Sequence, residues 1–204
     1  MKHLFSRLSG LILGFSVMLF LGCASTPPTR FFVLSPISDI KMMSKGEGEP
    51  CFAIGLGPVK IPEYLNQPGI VTRITPNEVR VDKFAKWAEP LEDNISRVLA
   101  ENLPSLLCIR TIAFFPWKGS IELDYRIDVR VIQMGGTLGE NAFLDVFWSI
   151  ADGIDRKKSP LLIKRSSYVE STDGGDHESF ISAQSRNLAS FSREIAVSIL
   201  GLPR

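Results

Sequence analysis

The residues of this chain that could do chemistry are few and scattered. There are two histidines in 204 residues, His3 and His177. His177 stands between Asp176 and Glu178, just after Asp173-Gly174-Gly175. A zinc site needs several His, Cys or carboxylate ligands at fixed spacing, and a serine triad needs a histidine held between a hydroxyl and an acid. One histidine in a glycine-rich loop supplies neither, so the triplet reads as a solvated loop. Gly135-Gly136-Thr137-Leu138-Gly139 has the glycines of a phosphate loop but neither its lysine nor a following helix. It separates two strand-like runs, which makes it a hairpin turn. Glu122, Asp124 and Asp128 alternate with Arg126 and Arg130, the pattern of a charge-paired solvent face and not of an acid/base pair. No GxSxG elbow is present. The sequence therefore implies no catalytic residue, no cofactor and no metal, and the protein is not expected to be an enzyme.

The cysteines say more. Lys2 and Arg7 form a basic leader, Leu11 to Leu21 is an apolar run, and Gly22-Cys23 closes it. That is the order of a secretory signal. The run is too short to span a bilayer, which takes about 20 apolar residues. Its end, Phe20-Leu21-Gly22-Cys23, resembles the lipobox of bacterial lipoproteins. The resemblance implies cleavage before Cys23 and attachment of a lipid to its sulfur. Ala24 and Ser25 follow in place of an aspartate, which by resemblance to enterobacterial sorting signals implies passage to the outer membrane. Ser25-Thr26-Pro27-Pro28-Thr29 is a short polar spacer able to hold a domain off a membrane. The expected organisation is a signal peptide over 1–22, then a lipidated tether, a first short strand and a mobile loop over 23–50. A periplasmic α+β domain follows over 51–204.

Two cysteines remain, Cys51 and Cys108. In an exported protein they can bridge, or they can sit buried as small apolar residues; the sequence leaves both open. The formal charge of +1 includes Lys2 and Arg7, so the exported part is nearly neutral. It has no basic excess for nucleic acid and no polybasic membrane patch.

Hydrophobic periodicity sets out the elements. Arg30–Leu34 reads as a strand and Lys41–Pro50 as a loop. Cys51–Ile61 reads as a strand with Phe52, Ile54 and Leu56 on one face and the small residues Ala53, Gly55 and Gly57 on the other. A small face admits close approach by another element. Ile70–Ile74 and Val79–Phe84 flank the turn Thr75-Pro76-Asn77-Glu78 and form a hairpin. Pro90 opens a helix with Leu91, Ile95, Val98, Leu99, Asn102, Leu103 and Leu106 in register, and Pro104 should end or kink it. Strands follow at Cys108–Phe115 and at Ile121–Val131, where Ile121, Leu123, Tyr125, Ile127, Val129 and Val131 share a face. Two more lie at Ala142–Ile150 and Leu161–Val169. A last helix runs from about Ser179, its N-cap, to Leu200, with Phe180, Ile181, Gln184, Leu188, Phe191, Ile195 and Ile199 inward. The fold class is α+β, a single domain with an antiparallel or mixed sheet and two main helices packed on it. The aromatic residues at Phe114-Phe115-Pro116-Trp117, and Phe143 and Phe147 opposite the main core stripe, read either as core beneath helices on both sheet faces or as an apolar patch for a partner or a lipid chain.

Trp87-Ala88-Glu89-Pro90-Leu91, followed by Asn94, Arg97, Val98, Leu99 and Asn102-Leu103, resembles the central motif of the ABC-type transport auxiliary lipoproteins, the PqiC-like (YmbA-like) family. Gly57–Arg73, the opening Arg30–Pro36 and Ala183–Ala196 are similar to that family's strand and hairpin, its N-terminal strand and its C-terminal segment. The resemblance implies a non-catalytic accessory subunit anchored through Cys23 to the outer membrane and facing the periplasm. Its implied partner is an MCE-domain protein of an intermembrane lipid transport system. Trp87, Glu89 and Pro90 are the motif residues at the turn into the first helix, structural or docking. A symmetric homo-oligomer would suit docking onto a ring-shaped partner. Two other readings remain, a periplasmic lipid carrier and an outer-membrane assembly lipoprotein.

Overall fold

A computed structural model of the chain describes residues 26–36, 51–117, 121–154 and 159–202. The signal segment, Cys23 and the Lys41–Pro50 loop lie outside these residues. The apolar runs become β1 Arg30–Phe32, β2 Phe52–Lys60, β3 Gly69–Thr75, β4 Glu78–Trp87, β5 Ile109–Phe114, β6 Tyr125–Thr137, β7 Asn141–Asp152 and β8 Leu162–Ser171. The helices are α1 Leu91–Leu106 and α2 His177–Leu200. The protein is a single α+β domain as its sequence implies, and the described strands divide between two mixed sheets. The larger has the order β5-β2-β6-β7-β8 and the smaller β1-β4-β3. In the larger sheet β2 runs parallel to both β5 and β6, and β6, β7 and β8 are antiparallel. In the smaller, β1 is parallel and β3 antiparallel to β4.

Both helices lie on one face of the larger sheet, α1 against β2 and β5, α2 against β7 and β8, and they touch each other. The core between them holds Ile54 and Leu56 of β2, Ile127, Val129 and Val131 of β6, and Leu144, Val146, Trp148 and Ile150 of β7. Ile95, Val98, Leu99 and Leu103 come down from α1, and Leu188, Phe191 and Ile195 from α2. The Trp148 and Phe191 rings meet edge to face at 5.6 Å. The small face of β2 is covered as its composition implies. A Cβ on Gly55 would stand 2.7 Å from Leu123 Cδ1 and 2.9 Å from the Trp117 indole nitrogen.

Several elements depart from the sequence reading. Leu123 does not share the inward face of β6. That strand begins at Tyr125, and Leu123 turns to the opposite side, joining Ala53, Ala113 and Trp117 in a satellite cluster. Gly135 and Gly136 are not in the turn. β6 runs through them, and only Gly139, at φ +82°, serves the turn. Gly136 has φ +142°, and a Cβ there would lie 2.1 Å from the Asn141 carbonyl oxygen, so glycine lets β6 stay paired with β7 at this close approach.

Pro104 does not end α1, which continues to Leu106. The proline is on the exposed side, where the carbonyl left without a donor can be hydrated. The last turn and its cap bury Leu103, Leu106 and Leu107. At about 1.5–3 kcal/mol for each leucine this outweighs the ~3 kcal/mol cost of an interior proline. The N-cap of α2 is Asp176 and not Ser179; the Ser179 backbone N–H donates to Asp176 Oδ1 at 2.9 Å.

Cys51 and Cys108 lie at the adjoining starts of β2 and β5, with Cα atoms 4.5 Å apart, and are joined as a disulfide. The bridge closes a loop with a sequence separation of 57. In the chain-entropy account a loop of this length contributes about 4 kcal/mol. Urea unfolding with and without reductant measures it: the expected loss on reduction is about 2–4 kcal/mol, and coincident curves would mean that the native protein holds free thiols. For β6, Gly136→Ala is expected to destabilise by more than about 1 kcal/mol, read as a lower urea midpoint at unchanged slope.

Candidate functional site

The corner between β4 and α1 is built from the motif residues. Trp87 is buried at the end of β4, and its backbone N–H donates to the Pro68 carbonyl at 2.8 Å. The Ala88 N–H donates to the Phe32 carbonyl at 2.9 Å. Pro90 occupies the N-cap of α1, and its carbonyl accepts the first helical hydrogen bond, from the Asn94 N–H at 3.0 Å. Glu89 turns along the helix and accepts from Arg97 Nε at 2.9 Å. Arg97 also donates to Glu101 at 3.1 Å, to the Leu34 carbonyl at 3.0 Å and to Asn94 Oδ1 at 2.9 Å. Asn94 is fully buried, and the same Oδ1 accepts the Leu34 N–H at 3.0 Å. Both backbone groups of Leu34, itself fully buried where the chain leaves β1, are therefore satisfied by α1 side chains. Burial draws the Arg97 guanidinium down, but its hydrogen bonds to Glu89 and Glu101 and their charges outweigh this and raise it. The corner is a clamp that fixes the N-terminal segment to the first helix.

Beside it lies an open cleft of about 460 Å³. Its walls are Gly57 and Pro58 from β2, Phe114 and Phe115 at the end of β5, and Glu92 and Asp93 in the first turn of α1. The Phe114–Trp117 segment divides here. Trp117 turns inward, its indole N–H donating to the Ala113 carbonyl at 3.2 Å, while Phe114 and Phe115 stay half exposed.

The outer face of the larger sheet is open. Register places Phe143 beside Val169, Asp145 beside Ser167, Phe147 beside Arg165 and Ser149 beside Ile163. Phe147, Ile163 and Val169 are 45%, 56% and 68% exposed. Phe143 is partly covered by the Arg73 guanidinium, 5.3 Å from its ring centre. Helices therefore do not cover both faces. Arg165 pairs with Asp145 and holds that carboxyl low against the opposing effect of burial.

The inward side of β8 is tied to α2 by a polar group the sequence reading missed. The Trp148 indole donates to Ser166 Oγ at 3.1 Å, Ser166 donates to Glu194 at 3.0 Å, and the Tyr168 hydroxyl and Lys164 also meet Glu194. Burial pushes the Glu194 carboxyl up, yet its hydrogen bonds from Lys164, Tyr168 and Ser166 leave it low. Burial and the Glu194 contact push the Tyr168 phenol up. The contacting pairs are 18 to 30 positions apart in sequence, so only tertiary packing assembles them. His177 is not solvated either. It begins α2 with its side chain 19% exposed, Nε2 3.5 Å from Asp82 and its ring 6.1 Å from Phe32. Cys23 lies outside the described residues.

The clamp has a measurable consequence. Asn94→Ala leaves the buried Leu34 N–H without an acceptor and is expected to cost about 1–3 kcal/mol. Hydrogen exchange should quicken at Leu34 and along β1 ahead of the rest of the sheet. An unchanged exchange rate at Leu34 would show that the segment is held by other means.

The family model described as ABC-type transport auxiliary lipoprotein component matches residues 32–196. No curated protein matches the chain. Among solved structures, an uncharacterized protein superimposes with a TM-score of 0.67 at 14% identity, over 85% of this chain and 99% of its own. A Xanthomonas campestris protein of the DUF330 family does so with a TM-score of 0.67 at 13% identity, over 84% of this chain and 95% of its own. At such identities the two share the fold. No helix among the described residues is long and apolar enough to cross a membrane. With a matched span reaching from β1 well into α2, the chain belongs to the ABC-type transport auxiliary lipoprotein family.

Proposed function

We propose that this transport auxiliary lipoprotein is held by a lipid on Cys23 at the periplasmic side of the outer membrane. There it docks the periplasmic assembly of an MCE-domain lipid transport system. Its role is tethering and docking, without bond chemistry of its own. The observation that carries this is the uncovered outer face of the five-stranded sheet, with Phe147, Ile163 and Val169 in the open. On this face Arg165, paired with Asp145, and Ser167 stand between Ile163 and Val169, so exposed apolar and charged groups interleave, a mixed make-up shared by non-obligate protein interfaces. Assembly into a homo-oligomer would repeat this face around an axis and match a ring-shaped partner. A lipid anchor would raise its effective concentration near a partner that spans the periplasm.

Crosslinking and affinity capture of the full-length tagged protein from its own host tests the proposal. Recovery of an MCE-domain protein is expected, and it should fall when Cys23→Ala removes the anchor. Phe147→Asp should lower recovery about tenfold while the protein stays at the membrane. Capture of a bound lipid without a protein partner would favour a carrier, and capture of an outer-membrane barrel would favour an assembly factor.

A further inference from the structure

The small sheet has an exposed apolar face of its own, next to the tether. Phe31 pairs in register with Lys86, and Phe84 is two residues before Lys86, so the three side chains share a face. Phe32, the adjacent residue, is buried with Trp87 on the other side. Val33 stands two residues after Phe31. Phe31 is 65%, Val33 46% and Phe84 36% exposed, whereas the backbone beneath them is well fixed. The β1 register to β4 is unbroken, and Asp82 Oδ1 accepts both the Phe84 and Ala85 N–H groups at 2.7 Å.

The strand that carries Phe84 is itself basic. Of the cations in this sheet, Arg30 pairs with Glu178 and Arg73 lies against Phe143, which leaves Arg80, Lys83 and Lys86 of β4 beside Glu78 and Asp82. The Asp82 carboxylate is turned to backbone amides and His177. The chain as a whole is close to neutral, so this basic excess is local.

Chain length sets the surroundings of the patch. Six residues lie between Cys23 and Arg30, which makes seven Cα-to-Cα steps. Fully extended, they reach at most about 25 Å, so a lipid on Cys23 keeps the small sheet within that distance of the bilayer. A face with exposed aromatic and aliphatic side chains among lysines and arginines suits the boundary of a phospholipid leaflet. There the rings enter the headgroup–acyl layer and the cations meet phosphates.

We propose that the outer face of the small sheet, formed by Phe31, Val33, Phe84 and Lys86, is a membrane-contact surface resting on the phospholipid leaflet that holds the Cys23 lipid. The inference depends on the anchoring proposed above. It assigns the small sheet a second attachment, which orients the domain where a tether alone would leave it free to tumble.

The test uses the full-length lipoprotein in vesicles of phosphatidylethanolamine and phosphatidylglycerol. A nitroxide label is placed at Phe84→Cys in one sample and at Val169→Cys, on the outer face of the larger sheet, in another. The label at 84 should show at least a threefold higher ratio of collisions with oxygen, which concentrates in the bilayer, to collisions with a water-soluble nickel chelate. Adding Phe31→Asp should bring that ratio down toward the value at 169, with the circular dichroism spectrum unchanged. Equal ratios at 84 and 169 in protein whose mass shows the lipid on Cys23 would overturn the membrane contact and leave the anchor standing. Spin–spin broadening of the label at 84 would mean that a second copy covers the patch, and would also overturn it. A mass without the lipid would remove the length argument and overturn both.

Discussion

The inward face of β6 and β7 sets Ile127, Val129 and Val131 beside Val146, Trp148 and Ile150, and it takes both helices to cover it. α1 shields the β2 and β5 side and α2 the β7 and β8 side, meeting edge to edge over the middle. The described residues hold no third α-helix to place on the other face. The β2 end of that face is closed by Leu123 and Trp117 lying on Ala53 and Gly55, and the Phe143 corner by Arg73. The stretch from Phe147 to Ile163 and Val169 is left open. The exposed apolar face results from the core's need for both described helices on the opposite side.

The buried amide side chains tie the helices to the rest of the fold. Asn94 meets Leu34 after β1 has ended. Gln184 Nε2 donates to the Gly135 carbonyl at 2.7 Å, near the end of β6, and Asn187 Nδ2 donates to the Ala142 carbonyl at 3.0 Å on the neighbouring strand. Asn102 donates to Ser192 and so joins the two helices. A buried polar group without a partner costs about 1–3 kcal/mol, so each of these bonds favours one placement of its helix against the neighbouring element. Much of the family-like motif on α1 is explained by this role: Asn94, Arg97 and Asn102 face other elements, and Trp87 faces the core.

The alternation that makes β2, β6 and β7 legible is a local property, and it located all three, as well as the hairpin and both helices. It did not reveal where a strand stops facing one way. Leu123 continues the apolar period of β6 but sits before the first paired residue, so it answers to Trp117 and Gly55. Gly135 and Gly136 look like a turn because glycine is typical of turns, yet here the missing Cβ is needed against Asn141 across the hairpin. Pro104 looks like a stop because its cost is local, while the burial of Leu106 and Leu107 that overrides it is tertiary. The Ser166–Tyr168–Glu194 group and the contact of His177 with Asp82 join distant segments and have no signature in either one. The separation of β1, β3 and β4 into their own sheet was not readable, because nothing in a strand's pattern states which neighbour it chooses. The Cys51–Cys108 pairing is open in the sequence for the same reason.

β1 is three residues long and pairs with β4 alone, on one edge. Strands this short fray readily, because few hydrogen bonds oppose the entropy of the freed chain. Yet β1 is the first element after the spacer, so any pull from an anchor at Cys23 would reach it before the rest of the domain. The residue at which the chain leaves β1 carries that load. Leu34 is buried, its N–H and C=O are held by Asn94 and Arg97, and Arg97 is in turn braced by Glu89 and Glu101. Force entering at Arg30 is passed through these bonds to α1, whose apolar face is packed into the core, without relying on the three-residue ladder. In a chain tethered by its N-terminus, the clamp at the start of α1 is where attachment to the membrane becomes attachment of the fold.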